Sequence, residues 1–329
     1  MTIQEAFKRW NDSRLAADYA KGSTYLRDRR YFEKYYDDWK DKKVEAISRE
    51  MWTSYLQKIL CGGITAKQWG GVKNISRGII NFCEDNHFVT YTADDVIGHV
   101  RVYKNAFITP AKDYEQEIYY SDELQALNDY FTKNSNPYTR CIRLSILIGS
   151  RIGECASLRV DDVDVDNMTI TIRRTETRAD ENGKPAETIR DGAKTETGIR
   201  TVSVPKSAYS FLKEIVEIAK RYDGGWLFPQ EPGRWKTRYV GNRIRSQQLR
   251  RRMKEICEEI GITYKPPHKI RKTYASILRE NNVDEQTILD QMGHTTISTT
   301  EQHYFRSRRR AAERSKQLGE IGELAALTK

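Results

Sequence analysis

Histidine is scarce in this chain of 329 residues, with five copies at 87, 99, 268, 294 and 303. Three of them fall near the C-terminus, in the same window as Arg271 and Tyr304. His268-Lys269-Ile270-Arg271 sets His and Arg three positions apart, on one face of a helix. Pro266 and Pro267 give that helix a rigid entry. Met292-Gly293-His294 follows, and Tyr304 comes ten residues after His294. Upstream, Arg151-Ile152-Gly153-Glu154 sets a cation three residues before a carboxylate. These residue types do not suit a metal, because there is no His-Glu-x-x-His, no Cys lies near, and Arg271 would repel a cation. They suit an oxyanion better, since a guanidinium forks two N–H groups onto neighbouring oxygens. A Tyr hydroxyl, with an unperturbed pKa near 10, attacks such a centre only with a base or a strong positive field beside it. Taken singly, each His reads as an ordinary core or surface residue, and each of the 19 Tyr as one among many. The ordered combination is what points to chemistry.

The surrounding pattern must hold these groups in place. Residues 2–19 read as a helix opened by a Thr2–Glu5 capping box, with Ile3, Phe7 and Trp10 on one face. Further helices are expected over 23–39, from Ser48 to a stop at Gly62-Gly63, and from Thr65 through Phe82. Their aromatics read as the core of a small bundle rather than as stacking platforms. Residues 105–120, which include Pro110, lack a clear period and read as a linker between units 1–112 and 113–329. Ser121 is expected to cap a helix over 122–132, and an apolar helix over 141–148 leads into Arg151. Residues 160–174 alternate like a strand. Asn182-Gly183 signals a hairpin turn within the polar stretch 175–193. A strand over 199–204 ends at Pro205, and helices follow over 206–221, 241–260, 268–281, 284–292 and 306–325. The expected fold is mainly α with a small antiparallel β-sheet.

Composition narrows the partners. The 56 Lys and Arg exceed the 46 Asp and Glu, for a net charge of +10, which favours a polyanion such as nucleic acid. The five Cys are widely spaced without a Cys-x-x-Cys pair, so neither a disulfide framework nor a zinc site is indicated, and reduced thiols in a cytoplasmic protein fit best. No apolar run approaches the roughly 20 residues of a membrane span, and the N-terminus has no signal-peptide core.

The boxes Arg151-Ile152-Gly153-Glu154, His268-Lys269-Ile270-Arg271, Met292-Gly293-His294 and Tyr304 together resemble the ordered signature of the tyrosine recombinases, the phage integrase family. The resemblance is close over 113–305, and 1–112 looks like the family's helical core-DNA-binding domain. Met292 stands where Leu is usual, a change that conserves volume. The resemblance implies roles. Tyr304 is the nucleophile. Arg151 and Arg271 neutralise the phosphate and stabilise the pentacovalent transition state. His268 accepts the tyrosyl proton, and His294 hydrogen-bonds a non-bridging oxygen. Glu154 orients its neighbours. The general acid is a Lys on a β-hairpin, and Lys194 is the match, ahead of Lys184 beside the Asn182-Gly183 turn. The 175–193 hairpin resembles an extra β-insertion of some integrases from conjugative transposons. His303 has no family role, and Arg308, Arg309 and Arg310 read as a solvated helix start. The apolar residues Leu318, Ile321, Leu324 and Leu327 would face either their own domain or a neighbouring subunit, as the helix within 306–329 does in the family.

The activity so implied is cleavage, exchange and religation of DNA strands through a 3′-phosphotyrosine and a Holliday junction. It would need no cofactor and no metal. The expected partners are double-stranded DNA, three further copies in a homotetramer, and an accessory directionality protein, on nucleoid DNA in the cytoplasm. The alternatives are relaxation by a type IB topoisomerase-like reaction and DNA binding without catalysis. The two-domain layout, the Gly-His box and the full set of reactive positions weigh against them.

Overall fold

Thr2, Ser48, Thr65 and Thr92 each accept a backbone N–H three residues ahead, and these caps set where the N-terminal helices begin. The computed structural model describes the backbone of residues 1–17, 19–20, 22–109, 116–181, 184–192, 199–233 and 239–293, and side chains outside 178–186. The helices of the first unit are α1 Ile3–Ala16, α2 Gly22–Tyr35, α3 Arg49–Cys61, α4 Ala66–Asp85 and α5 Ala93–Ile97. Their apolar faces meet in an aromatic core. Phe7 stacks on Phe32 at 4.1 Å and Trp39 on Tyr55 at 4.0 Å, with Trp52, Leu56, Trp69 and Ile79 buried around them. The compact units are Met1–Lys112 with Arg178–Ala186, and Asp113–Thr177 with Glu187–Lys329.

The second unit begins with α6 Ser121–Lys133, α7 Pro137–Ile148 and α8 Ile152–Cys155. Five strands follow: β1 Val163–Asp164, β2 Thr169–Ile172, β3 Arg174–Glu181, β4 Lys184–Asp191 and β5 Arg200–Ser203. Four helices complete the described part: α9 Tyr209–Ala219, α10 Ser246–Glu259, α11 His268–Glu280 and α12 Glu285–Met292. Strands β1, β2 and β5 make an antiparallel sheet in that order, with Ile170 opposite both Val163 and Val202. Strands β3 and β4 form a separate two-stranded sheet. Ile142, Leu144 and Ile148 of α7, Ile170 of β2, Val202 of β5, Leu212 of α9 and Met253 of α10 share one core.

The structure departs from the sequence reading at several points. Residues 160–174 do not make one strand. The chain reverses between β1 and β2, and Met168 takes φ +53° there, so alternation alone conceals a turn. Ser121 lies inside α6 rather than capping it, and the Glu123 carboxylate instead accepts the Tyr120 N–H at 2.8 Å. Asn136 starts α7 earlier than expected by accepting from the Tyr138 and Thr139 N–H groups, with Pro137 in the first turn. Helix α10 starts later, where Glu176 accepts the Ser246 N–H at 3.0 Å. Residues Ile118, Tyr119 and Tyr120, at the end of the expected linker, are buried. The short helix α5 had no counterpart in the reading. The Asn182-Gly183 turn lies outside the described residues, but its two arms are the strands β3 and β4.

Candidate active site

Three chain ends converge on the predicted residues. The first is the turn from α7 to α8. Gly149 ends α7 at φ +62°, a left-handed conformation that favours glycine, and a Cβ there would come to 2.1 Å from the Tyr274 ring. Two residues later Arg151 stands before α8 with its guanidinium half-exposed. Glu154, buried in the first turn of α8, accepts the Arg151 backbone N–H at 2.9 Å and its guanidinium Nη1 at 2.7 Å. One carboxylate thus fixes both ends of the arginine.

The second end is the start of α11. Arg271 is 2% exposed. Its Nη1 donates to the Gly149 carbonyl at 2.9 Å and its Nη2 to the Met292 carbonyl. Arg271 therefore ties the turn before Arg151 to the third end, the C-terminus of α12, whose last carbonyls have no partner within the helix. Gly293 closes α12 at φ +59°. His268 opens α11 at an exposed position. Partial desolvation, then the charges of Lys269 and Lys272, hold its pKa below the usual histidine range, against a smaller opposing pull from Glu117. The neutral imidazole is therefore favoured near neutral pH. Lys269 and Lys272 both donate to Glu117. Burial works to raise the Glu117 carboxyl, but its bonds from the two lysines outweigh that and hold it at about 2.

Burial also works to raise Glu154. Hydrogen bonds from Arg200, and the charges of Arg200, Arg151 and Arg271, outweigh it and set its pKa at about 2. Glu154 is thus an anion near neutral pH, framed by three guanidiniums.

The structure thus brings together Arg151, Glu154 and Arg271, and places His268 three residues before Arg271 on the same helix. Lys194, His294 and Tyr304 lie outside the described residues, as do His303, Arg308, Arg309, Arg310 and the tail with Leu318, Ile321, Leu324 and Leu327. The sequence reading did not single out Arg200, one of the two arginines on Glu154. The signal available was an Arg at an inward position of a short strand, since in β5 it alternates with exposed Thr201 and buried Val202. Among the described residues, no group of three or more His, Cys, Asp or Glu side chains could hold a metal ion, and no helix is long and apolar enough to cross a membrane.

Comparison with known proteins adds to this geometry. The sequence profile of the phage integrase family matches residues 117–310. A XerC-like tyrosine recombinase of Caldanaerobacter subterraneus is 26% identical over 272 residues, covering 80% of this chain and 68% of that protein. The integrase of Staphylococcus phage L54a is 22% identical over 278 residues, covering 78% and 74%. Among solved structures, the Tn1549 transposon integrase in complex with circular intermediate DNA aligns over 96% of this chain and 99% of its own, with a TM-score of 0.68 at 13% identity. A lambda integrase dimer bound to a core site aligns over 92% and 77%, with a TM-score of 0.61 at 13% identity. Both share the fold.

Proposed function

The chain belongs to the phage integrase family, the tyrosine recombinases, and on that premise we propose that it recombines DNA at specific sites through a covalent bond to Tyr304. The observation that carries this reading is the convergence of Arg151 and Arg271 around the Glu154 anion, with the turn at Gly149 shared between them. Two guanidiniums held by buried partners form a rigid frame for a tetrahedral or pentacovalent phosphate. The solved DNA complexes of the Tn1549 and lambda integrases support duplex DNA as the substrate of this chain too, as does its net charge of +10.

In the proposed step, the Tyr304 oxygen attacks the scissile phosphorus. Its proton passes to His268, whose lowered pKa keeps the imidazole free to accept it. Arg151 and Arg271 take up the charge that builds on the non-bridging oxygens, and His294 donates to one of them. Lys194 protonates the leaving 5′-oxygen. A 3′-phosphotyrosyl ester results, and attack on it by the 5′-hydroxyl of a second strand restores the tyrosine. The ester keeps the phosphodiester bond energy, so strand exchange needs no nucleotide hydrolysis. Exchange between two duplexes requires four active sites, so the proposed assembly is a homotetramer on DNA that passes through a Holliday junction. An accessory protein would set direction, and the proposed place of action is nucleoid DNA in the cytoplasm.

A duplex recovered by selection from a random-sequence pool, then nicked beside the cleavage point, tests the reading. The wild-type chain should become trapped as a covalent protein–DNA adduct that migrates slowly in denaturing gels. Joining of strands from two different duplexes would support recombination. Relaxation of a supercoiled plasmid without joining would support the topoisomerase-like alternative, and binding without an adduct would leave only a DNA-binding protein.

A further inference from the structure

Arg200 has no part in the cleavage steps above, yet it sits among the residues that perform them. It begins β5 at a core-facing position, and all three of its guanidinium nitrogens donate to protein acceptors. Its Nη2 donates to Glu154 Oε2 at 2.8 Å and its Nη1 to Oε1 at 3.3 Å. Its Nε donates to the Gln291 carbonyl at the end of α12, at 3.3 Å. A Cβ on Gly293 would come to 2.7 Å from Arg200 Cδ, so the stem of the side chain lies directly against the turn that leads to His294. Glu154 meanwhile gives the same two oxygens to the half-exposed Arg151. One buried guanidinium therefore touches the carboxylate that fixes Arg151 and the helix end whose next carbonyl is held by Arg271.

We propose that Arg200 is a positioning residue that locks the Arg151–Glu154 pair to the C-terminal turn of α12, so that the exposed guanidinium of Arg151 is presented in one orientation. The inference rests on the recombinase reading. A fork of three donors does this and a single ammonium does not, because Lys keeps the charge but cannot reach the carboxylate and the carbonyl together. The effect on chemistry follows from geometry: misplacing a catalytic group by about 1 Å costs on the order of 100-fold in rate.

The test compares the wild-type chain with Arg200→Met, Arg200→Lys and the double variant Glu154→Gln/Arg200→Met on the nicked duplex described above. It records single-turnover adduct formation against pH, the Kd for the uncleaved duplex, and thermal melting. The expected result for Arg200→Met is cleavage slowed about 100-fold, with Kd within about threefold of wild type. Arg200→Lys should recover part of the rate, and both single variants should gain an acidic limb in their pH profile as Glu154, now less well paired, takes up a proton. The double variant removes the buried charge left with fewer partners, so it should regain melting temperature without regaining rate. The inference is overturned if Arg200→Met cleaves at the wild-type rate, if Arg200→Lys matches wild type at every pH, or if the double variant restores rate along with stability. If the wild-type chain forms no adduct, the recombinase reading itself fails and this inference falls with it. If wild type reacts and the variants match it, only the inference falls.

Discussion

The two compact units bury polar groups in different ways. In the helical unit the interior is aromatic, and buried Asn11, Asp28 and Ser76 lie within it. The Tyr36 hydroxyl lies 2.6 Å from the Ser76 hydroxyl, and the buried Asp28 carboxylate pairs with the more exposed Arg14 and Arg27. The second unit buries both members of the pairs Glu154–Arg200 and Lys265–Glu123, and the Glu176 carboxylate of its pair with Arg243. Arg271 joins them, with backbone carbonyls as its partners. Burying charge is costly, and a hydrophobic replacement of similar shape is often as stable. Arg200 and Arg271 around Glu154 therefore point to something that apolar packing cannot supply, a fixed arrangement of guanidiniums about an anion, whereas Lys265–Glu123 is a buried pair away from that cluster.

Among the buried charges, the largest expected effect comes from Arg271. Replacing it with Ala should slow adduct formation about 1,000-fold, measured in single-turnover cleavage. A comparable loss from an aromatic substitution in the first unit, with melting unchanged, would erase the contrast between the units. Next is the buried pair away from the cluster. Lys265→Met leaves Glu123 buried without its ammonium, and urea unfolding should show a loss of roughly 3–5 kcal/mol. Adding Glu123→Gln should return much of it. If the single variant is as stable as wild type, the interior charge of this unit is not held in the way described.

Acid stability sharpens the comparison further. Glu154 is held at about 2, below the unfolded carboxylate value, so its contribution is complete above about pH 4.5 and is lost as pH falls towards 2. The shift corresponds to something on the order of 3 kcal/mol. Wild-type unfolding free energy should drop through that window, and Glu154→Gln should show a flatter profile there. An identical slope in both would mean that Glu154 is not depressed. In cleavage, the lowered pKa of His268 acts in the same direction: the neutral base is lost as pH falls, so the rate should decline only below the ordinary histidine range. The smallest effect belongs to the first unit. Tyr36→Phe removes the hydroxyl between Ser76 and Val72, but Ser76 keeps its own bond to the Val72 carbonyl. The cost should be about 1 kcal/mol in unfolding, with cleavage untouched.

The same contrast explains what could be read from the sequence. In the first unit, caps at Thr2, Ser48 and Thr65 and a 3.6-residue spacing of aromatics are local signals, and α1, α3 and α4 start where those caps lie. In the second unit the boundaries depend on distant partners. Helix α10 begins where Glu176, on β3, accepts the Ser246 N–H, 70 residues away in sequence. The pairing of β1 with β2 depends on a positive φ at Met168 that no residue type announces. At the site, Arg151, Glu154, His268 and Arg271 could be named because each falls in a short box with fixed spacing. Arg200 could not, because its meaning lies in contacts 46 and 91 residues away along the chain.

The proposed chemistry depends on the Tyr304 hydroxyl oxygen as the atom that joins protein to DNA. Its most direct test is the nicked duplex offered to wild type and to Tyr304→Phe, followed by denaturation and peptide mapping of the adduct. The account predicts a covalent adduct on the peptide containing Tyr304 for wild type, and none for Tyr304→Phe, with DNA binding preserved in both. An adduct that persists in Tyr304→Phe, or that maps to another residue, would contradict it.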